Sequence, residues 1–542
     1  MDLLRLVFVN LLIGLVGLLV GCGSGWSDGK ILHVGNGAEP SGFDPNIVTG
    51  VPEYRIVNAL FEGLVSKDPT TLRPVPAAAE RWDINEDGTV YVFHLQQQGQ
   101  WSDGQPVRAS DFVYSYRRML TPDFGAQFAY LLFDIKNAEA FNNGERTDFA
   151  EVGVKALDEK RLQVTLENPN PFLLDLISHY AWFPVPEHVV EAHGGMLEIN
   201  SRWTKPGNLV GNGPFALNRW RINSRTEVLR SASYWDAAEV KLDGIHFHAV
   251  KAAETEERMF RSGQLHITGG LPLGKIPVYR ERKDPALVLH PLVGTYYYRF
   301  NTTKPPLDDA RVRRALSMAV DRKAIVEKVT GAGETPAFHF APAAHPDFKP
   351  PIIFKTDVAA AKKLLAEAGF PDGNDFPNFA ILYNTSEAHR EIAEAVGDMW
   401  KRSLGIDVTF LNMDWKAYLE AINDKNYDMC RAGWVADLLD PKVFLELWTD
   451  GHSMNRTGWH TEAYDALIAR SSREPELAAR LKILEEAERL LMTEMPVMPL
   501  YHYTSKYLKD PRVTGYDANL IEYHPWKGVD IKNDDVTPER QK

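Results

Sequence analysis

Strand-like and helix-like segments alternate along the second half of the chain, and this alternation most constrains the fold. Residues 357–368 and 387–403 have helical spacing, and Gly369 and Gly405 follow them as stop signals. Residues 406–410 then have the β-branched pattern of a strand. Such alternation predicts an α/β fold with partly parallel sheets. The 542 residues exceed one domain, and no low-complexity linker interrupts them, so short crossovers should join the lobes.

The charge balance disfavours two classes of partner. The chain has 60 Lys and Arg against 73 Asp and Glu, which gives a net charge of −13. Its cations are scattered along the sequence and form no basic cluster. An acidic protein without a basic patch is repelled by nucleic acid and by anionic membrane surfaces, so we expect neither as a partner.

Motifs for catalysis or metal binding are missing from the sequence. Its two cysteines, Cys22 and Cys430, are too few for a cysteine-based metal site. No G-x-S-x-G, H-E-x-x-H or Walker motif occurs. The histidines that lie near one another in sequence lack a matched carboxylate or cysteine set: His179, His188, His193, His339 and His345. We therefore expect no metal, no cofactor and no enzymatic activity.

The N-terminal segment has the pattern of a secretory leader. Residues 6–20 are apolar apart from one Asn, and this run is shorter than the ~20 residues that span a bilayer. It ends in Leu-Val-Gly before Cys22, which resembles a bacterial lipobox, and a Gly-Ser-Gly spacer follows. We expect residues 1–22 to be a lipoprotein signal peptide and Cys22 to be lipidated. Cleaved secretion and an uncleaved anchor are the alternatives.

Residues 427–437 place a cation and a carboxylate around an aromatic side chain. The segment begins as a short buried strand and ends as a turn. Arg431 and Asp437 are six residues apart, roughly 20 Å at full extension, so they cannot pair unless the chain folds back. They could mark the two ends of an elongated cleft with Trp434 between them. The alternative is a buried strand end with two solvated charges.

Three segments together resemble one known family. Residues 101–118 (W-S-D-G-Q-P-V-R-A-S-D-F-V-Y-S-Y-R-R), 301–316 and 431–437 (R-A-G-W-V-A-D) occur in similar order and spacing in the peptide-binding members of the bacterial extracellular solute-binding proteins, family 5. These proteins serve ABC transporters. Weaker likeness extends over nearly all of residues 30–525.

The resemblance implies an α/β fold of the periplasmic-binding-protein type II class, with two lobes that close over a ligand and an extra third domain. The chain would cross between the lobes near Val293-Gly294 and again near Tyr503. The implied units are a discontinuous lobe I (23–52, 192–293 and 505–542), an extra domain II (53–191) and lobe III (294–504). The relatives' disulfide positions fall on Gly294 and Val435, where this chain has no cysteine.

The resemblance also implies how a peptide would be held. Asp437 corresponds to the carboxylate that pairs with the ligand ammonium, and Gly433 and Val435 would offer main-chain groups. Glu39 to Ser41 resemble the strand that pairs with the peptide, although Pro40 has no N–H to donate. Side-chain pockets and aromatic lining would be formed by Trp434, Trp415, Tyr130, Tyr297 and Tyr503.

Cationic positions in the relatives anchor the ligand carboxylate. Arg431 and His389 correspond to two of them. A third position is Thr330 here, which cannot supply a charge, so the preferred peptide length is expected to differ. An asparagine pair near the relatives' hinge becomes Gly269-Gly270, which leaves only main-chain contacts.

These implications predict the substrate-binding component of an ABC peptide importer. It would capture oligopeptides as a monomer and deliver them to the permease from the periplasm or cell envelope, tethered through Cys22. The same fold could instead bind a dipeptide, murein peptide, haem, metal complex or sugar. An envelope hydrolase is a third reading, and a sensor or adhesion role a fourth.

Overall fold

The computed structural model describes residues 29–199, 201–343 and 345–532. The predicted signal peptide and lipidation site, Cys22, lie outside the described residues. Within the described part, no helix has both the length and the apolar character needed to cross a membrane.

Eighteen strands occur in the described residues. They are β1 (Ile31–Gly35), β2 (Val65–Lys67), β3 (Pro74–Pro76), β4 (Ala79–Ile84), β5 (Val90–Leu95), β6 (Val154–Ala156), β7 (Arg161–Thr165), β8 (Phe215–Arg221), β9 (Arg225–Arg230), β10 (Gly244–His248), β11 (Leu287–Phe300), β12 (Thr335–Pro336), β13 (Phe379–Asn384), β14 (Val408–Met413), β15 (Met429–Val435), β16 (Val497–Leu508), β17 (Val513–Thr514) and β18 (Asp530–Ile531).

The α-helices of the described part are α1 (Val51–Leu60), α2 (Ala109–Leu120), α3 (Ala138–Asn142), α4 (Leu173–Leu176), α5 (Glu187–Ala192), α6 (Ala253–Arg261), α7 (Ile276–Glu281), α8 (Ala310–Met318), α9 (Arg322–Ala324), α10 (Val358–Glu367), α11 (Glu387–Leu404), α12 (Trp415–Asn423), α13 (Lys442–Leu445), α14 (Glu462–Arg473) and α15 (Leu477–Glu494). A π-helical segment, Ile325–Thr330, continues α9. Short 3-10 segments are Pro122–Phe124, Ala129–Leu132, Phe149–Glu151, Tyr180–Trp182, Arg202–Thr204, Ala237–Glu239, Leu273–Lys275, Pro371–Gly373, Glu446–Trp448 and Trp526–Gly528.

The first large sheet has the strand order β1-β10-β9-β8. β1 and β10 are parallel, and the other neighbours are antiparallel. Leu32 and Val34 alternate with polar residues along β1, and both are almost fully buried because every second side chain of a strand shares a face. This sheet lies within the segments that the sequence assigns to lobe I.

The second large sheet, β4-β5-β7-β6, is antiparallel and lies within the predicted extra domain. The 101–118 signature connects its strands to α2. Asp111 accepts hydrogen bonds from the Arg108 amide (2.8 Å) and from Nε1 of the fully buried Trp101 (3.1 Å). The carboxylate therefore fixes the W-S-D-G turn to the start of α2, which begins at Ala109.

The third sheet, β12-β16-β11-β15-β13-β14, is mixed. β13 is parallel to β14 and to β15, whereas the longest strands, β11 and β16, are antiparallel. Their register shifts between Pro291 and Thr295 and again between Tyr296 and Tyr297. The two predicted crossings between lobes, near residues 293–294 and near residue 503, fall within the paired strands β11 and β16. At both points the chain belongs to hydrogen-bonded strands. The domain boundaries themselves stay predictions.

Candidate functional site

A cavity of about 560 Å³, partly open to solvent, lies between the first and third sheets. Its walls come from α1, α6, α11, α12, β11, β15, β16 and residues 516–526. Ligand pockets typically measure ~300–1,000 Å³. The cavity is therefore large enough for a small ligand, and it collects residues from every part of the chain.

One edge of β15 is open where the strand enters the cavity. β15 pairs with β11 along its whole length, from Met429 to Val435. It pairs with β13 only at Met429 and Cys430. From Arg431 onward the second edge has no strand partner among the described residues. An open strand edge offers main-chain donors and acceptors to an extended ligand.

The alternation of β15 turns a row of residues toward the cavity. Ala432, Trp434 and Ala436 are buried, whereas Arg431, Gly433, Val435 and Asp437 between them keep partial exposure, and all seven line the cavity. Gly433 is required for this geometry, since a Cβ there would lie 2.3 Å from the Tyr503 hydroxyl oxygen. The predicted cation, main-chain positions and carboxylate thus face the same space.

Arg431 lies at one end of this row without an acidic partner. Its Nη2 donates to the Tyr503 hydroxyl at 2.9 Å, and its guanidinium stacks 4.9 Å from the Tyr296 ring centroid. Its only other side-chain hydrogen bond is a long one, 3.5 Å, from Nη1 to Asn384 Oδ1, and its Nε is buried without a partner among the described residues. A guanidinium is always charged, so this end presents a cation to an incoming anion.

Asp437 lies at the other end and also lacks a strong partner. Its carboxylate accepts no hydrogen bond from any described residue, and His179 Nε2 lies 3.8 Å from its Oδ1. Burial lowers the pKa of His179 to about 3, so that ring is neutral. Lys67 Nζ donates instead to the Asp437 main-chain oxygen at 2.6 Å. Burial raises the pKa of Asp437 to about 6, an effect that the charge of Lys67 partly offsets.

Two predicted tryptophans and one tyrosine line the cavity. Trp415 stacks on Tyr418 with ring centroids 5.7 Å apart, and its Nε1 donates to Glu53 at 3.3 Å. The indole N–H of Trp434 is buried without a hydrogen-bond partner in the described residues. Tyr503 contributes the hydroxyl that Arg431 uses. These rings give the cavity apolar walls with few polar groups.

The predicted glycine pair also lines the cavity, but its amides are occupied. The N–H groups of Gly269 and Gly270 donate to Glu256 Oε2 at 2.8 and 3.2 Å. Burial raises the pKa of Glu256 to about 7. A main-chain contact from this pair to a ligand would therefore come from its carbonyl oxygens.

Three predicted residues lie behind the cavity wall. Tyr297 is fully buried, and its hydroxyl accepts a hydrogen bond from Arg299. Tyr130 packs on the His452 ring at 4.1 Å. His389 Nδ1 lies 3.3 Å from the Tyr296 hydroxyl, and burial together with the charge of Arg431 lowers its pKa well below the ordinary value. In this arrangement His389 is neutral and does not reach the cavity as a cation.

Glu39 and Ser41 lie outside the cavity lining, and the structure has no strand between residues 36 and 50. The Glu39 carboxylate accepts from Trp220 Nε1 at 2.7 Å and from the Asn223 amide at 2.8 Å. The Ser41 amide donates to Glu53 at 2.6 Å. Residues 39–41 therefore form no strand here, and their polar groups are bonded to Trp220, Asn223 and Glu53. Their role in pairing with a peptide stays a prediction.

A lysine that the sequence did not single out supplies a cation near Thr330. The Thr330 hydroxyl donates to Glu334 Oε2 at 2.8 Å, and Glu334 forms an ion pair with Lys506. Lys506 lines the cavity, and its charge contributes to lowering the pKa of His389. The charge that Thr330 cannot provide is thus present on β16.

The two positions of the relatives' disulfide face each other. Gly294 and Val435 are direct partners across β11 and β15. A Cβ on Gly294 would lie 2.7 Å from the Trp434 oxygen, so the strands approach more closely here than a side chain would permit. Cys430 is a buried free thiol, consistent with a small apolar residue.

Several residues that line the cavity were not predicted from the sequence. Thr49, Gly50 and Val51 line the cavity at the start of α1, and a Cβ on Gly50 would lie 2.8 Å from the Trp415 ring. Arg299 and Arg456 line it as buried cations. Only the Y-Y-Y-R-F pattern, a charge in an apolar strand, could have drawn attention to Arg299.

Two carboxyl groups meet where α6 and α11 face the cavity. The carboxyl groups of Glu254 and Glu387 lie close enough to share a hydrogen bond, and both residues line the cavity. Two carboxyl groups can bond in this way only by sharing a proton. The bond to Glu254 raises the pKa of Glu387 to about 7.

One histidine cluster could hold a metal ion outside the cavity. His33 on β1 and His246 and His248 on β10 share one face of the first sheet, and their ligand atoms lie within 4.8 Å of one another. His33 Nδ1 and His248 Nε2 are 3.0 Å apart. Burial lowers the pKa of His33 to about 3 and that of His248 to about 4, which keeps both imidazoles neutral. The His-Phe-His pair in one strand was the sequence signal for this cluster.

Comparison with known proteins gives consistent matches over most of the chain. The family model for the bacterial extracellular solute-binding proteins, family 5 Middle, matches residues 73–456. The periplasmic murein peptide-binding protein MppA of Escherichia coli is 38% identical over 493 residues, which are 89% of this chain and 90% of that protein. The periplasmic oligopeptide-binding protein OppA of Salmonella typhimurium is 35% identical over 94% of this chain and 92% of its own length.

Solved structures distinguish two arrangements of the lobes. The structure of the Escherichia coli murein tripeptide binding protein MppA aligns with a TM-score of 0.89 and 36% identity, over 93% of this chain and 99% of that one. The unliganded open form of the same protein aligns with a TM-score of only 0.62 at the same identity, over 94% and 98% of the two chains. The arrangement described here is therefore far from that open form.

Proposed function

Because the chain belongs to the bacterial extracellular solute-binding proteins, family 5, we propose that it is the substrate-binding component of an ABC importer for oligopeptides. The observation that supports this most directly is the pair of unmatched charges in one cavity. Arg431 and Asp437 each lack a charged partner within hydrogen-bonding distance among the described residues. A peptide with free termini is a zwitterion whose two ends complement such a pair.

The spacing of the two charges suits a short extended peptide. Six residues separate them along a chain that is extended from Arg431 to Val435. Their backbones are thus at most ~20 Å apart, and an extended peptide reaches about 3.5 Å per residue. A peptide of a few residues would bridge the two anchors.

The open edge of β15 would bind the peptide backbone. Burying a peptide between lobes removes water from its N–H and C=O groups, and each group left unpaired is costly. Strand addition to residues 431–435 would replace that water without reading the side chains. Trp415, Trp434 and Tyr503 would then form the walls around the side chains.

Mass spectrometry of the ligands that co-purify with the unlipidated protein tests this function, with Asp437→Ala as a matched variant. We expect peptides of narrow length range and mixed sequence on the wild type and an empty variant. If both proteins carry peptides, Asp437 is not the anchor of the ligand ammonium, but the peptide-binding function stands. A haem, a metal complex or a sugar in place of peptides would contradict the proposal.

The cellular setting is part of the same proposal. Relatives of this chain are named as periplasmic proteins. We propose that this protein works in the periplasm or cell envelope as a monomer, delivers peptide to an ABC permease and catalyses no reaction. Lipidation of Cys22 is tested by the mass of the N-terminal peptide before and after Cys22→Ser, which should abolish an acylated species.

A further inference from the structure

Two buried arginines in the cavity wall have no acidic partner. Arg299 on β11 and Arg456, which follows the segment Glu446–Trp448, are 3% and 5% exposed and both line the cavity. In the described ranges, no aspartate or glutamate forms an ion pair with either side chain. They are separate from Arg431, which binds Tyr503.

Most of their hydrogen-bonding capacity is unused. A guanidinium has five N–H donors. Arg299 donates from Nη2 to the Tyr297 hydroxyl at 3.1 Å, and its side chain also hydrogen-bonds to Cys430. Arg456 donates from Nη2 to Gln127 Oε1 at 2.5 Å. The Nε atoms of both are buried without a partner in the part of the chain described. Buried donors without acceptors cost free energy. Their presence in this fold indicates that a ligand supplies the missing acceptors.

The two cations also repel each other. Burial, together with the charge of Arg299, lowers the pKa of Arg456 to about 10. Their ionisable neighbours, Cys430, Tyr418 and Tyr427, are neutral at pH 7, since burial raises the pKa of each. Among the described residues no anion compensates this pair, and burying uncompensated charge is unfavourable.

The surroundings would strengthen the binding of an anion. Trp415, Ile422 and Met454 line the same cavity and give it apolar walls. Charge–charge attraction is larger in such a low-dielectric space than in water. An anion that reaches the two guanidinium groups would remove their repulsion and satisfy their free N–H groups at once.

We propose that Arg299 and Arg456 form a subsite for a carboxylate on a ligand side chain, so that the protein prefers peptides with an acidic residue at one position. This inference rests on the proposed peptide function and names its substrate class. Guanidinium groups bind carboxylates through paired, charge-assisted hydrogen bonds. The overall charge of −13 repels acidic peptides, so long-range attraction cannot produce the preference.

Calorimetric titration with nine tripeptides tests the subsite. Each peptide has Glu, Gln or Lys at the first, second or third position and alanine elsewhere. At one position only, we expect the Glu peptide to bind the wild type about tenfold more tightly than the Gln peptide, with the Lys peptide weakest. Arg299→Gln and Arg456→Gln should each reduce this preference, and the double variant should abolish it. Arg282→Gln, an exposed arginine at the end of α7, is the matched control and should keep it.

The possible outcomes separate this inference from the proposed function. Equal binding of Glu and Gln peptides at every position, or a preference for Lys, overturns the subsite and leaves the peptide function standing. A Glu preference of similar size at all three positions also overturns it, because a subsite acts on one side chain. Failure of all nine peptides to bind contradicts both. The melting temperature of the ligand-free double variant should not fall, whereas a purely structural role predicts a clear decrease.

Discussion

Buried arginines behave differently in the core of the molecule and in its cleft. Arg118 on α2 is fully buried and makes four hydrogen bonds, two of them to the Asp44 carboxylate at 2.8 and 2.7 Å. Arg322 has no carboxylate partner, yet main-chain oxygens and a serine hydroxyl accept its N–H groups. Arg299, Arg431 and Arg456 in the cleft have few such partners.

This contrast shows where the fold is complete and where it needs a ligand. A buried cation is tolerated when oxygens surround it, as around Arg118 and Arg322. An arginine with unused N–H donors in an open cavity is stabilised only when a ligand enters the cavity and accepts them. Hydrogen-bond satisfaction, more than burial, separates the structural arginines from the candidate binding arginines.

The largest expected effect is the loss of stability when the core arginine, Arg118, is replaced. Arg118→Met leaves the Asp44 carboxylate buried and unpaired, which should lower stability by about 3–5 kcal/mol. Arg431→Met strands no carboxylate and should leave stability within about 1 kcal/mol of the wild type. Urea unfolding of both variants measures this. Equal losses in the two variants would refute the distinction.

The next largest effect concerns the two cleft charges. Asp437→Asn should weaken peptide binding by about 2–5 kcal/mol, because the ligand ammonium loses its buried partner. Acetylation of the peptide N-terminus should weaken binding to the wild type but not to this variant. Amidation of the C-terminus should show the same pattern with Arg431→Met. Calorimetry with the three peptide forms checks both anchors, and an acetylated peptide that still discriminates between wild type and Asp437→Asn removes that anchor.

The pH dependence of peptide affinity tests the Asp437 end of the cleft. Burial raises the pKa of Asp437 to about 6, and an ammonium ligand binds only the ionised form. The pKa of Asp437 should therefore fall on binding, and affinity should be complete above pH 6 and be lost as the pH falls. The decrease should approach tenfold per pH unit. Affinities at pH 5, 6 and 7 measure it, and Asp437→Asn should lose this decrease towards low pH.

The smallest expected effect comes from the carboxyl pair at α6 and α11. The bond to Glu254 raises the pKa of Glu387 to about 7, so the closed cleft holds a proton there that an opened cleft would release near pH 4.5. Closure is thus favoured at low pH and loses this contribution as the pH rises to about 7.

The charged groups that act on this pair are Arg258 and Lys275 near Glu254, and Arg390 and Glu391 near Glu387. Between pH 7 and 8 affinity should have fallen a few-fold relative to its value near pH 6. Glu387→Gln should remove this decrease, and the exposed Glu420→Gln should keep it. An unchanged decrease in Glu387→Gln would show that the pair does not control closure.

The sequence alone predicted the family, the α/β class and several local structures, because these depend on residues close together in the chain. Asp309 caps α8 by accepting from the Arg311 amide, as its position before the helix indicates. Arg431, Gly433, Val435 and Asp437 share the cavity because a strand alternates its faces. A strand pattern and a motif were enough to find them.

Tertiary structure decided what no local pattern contains. The Glu39 carboxylate accepts hydrogen bonds from Trp220 and Asn223, and His389 lies behind the cavity wall. Both residues had matched ligand-binding positions of the family by resemblance. Lys506 brings a cation near Thr330 through its ion pair with Glu334, which lies 172 residues away in sequence. Whether a charge is satisfied depends on oxygens contributed by distant elements. For this reason Arg118 and Arg299 look alike in the sequence, and only the folded chain makes one a structural residue and the other a binding candidate.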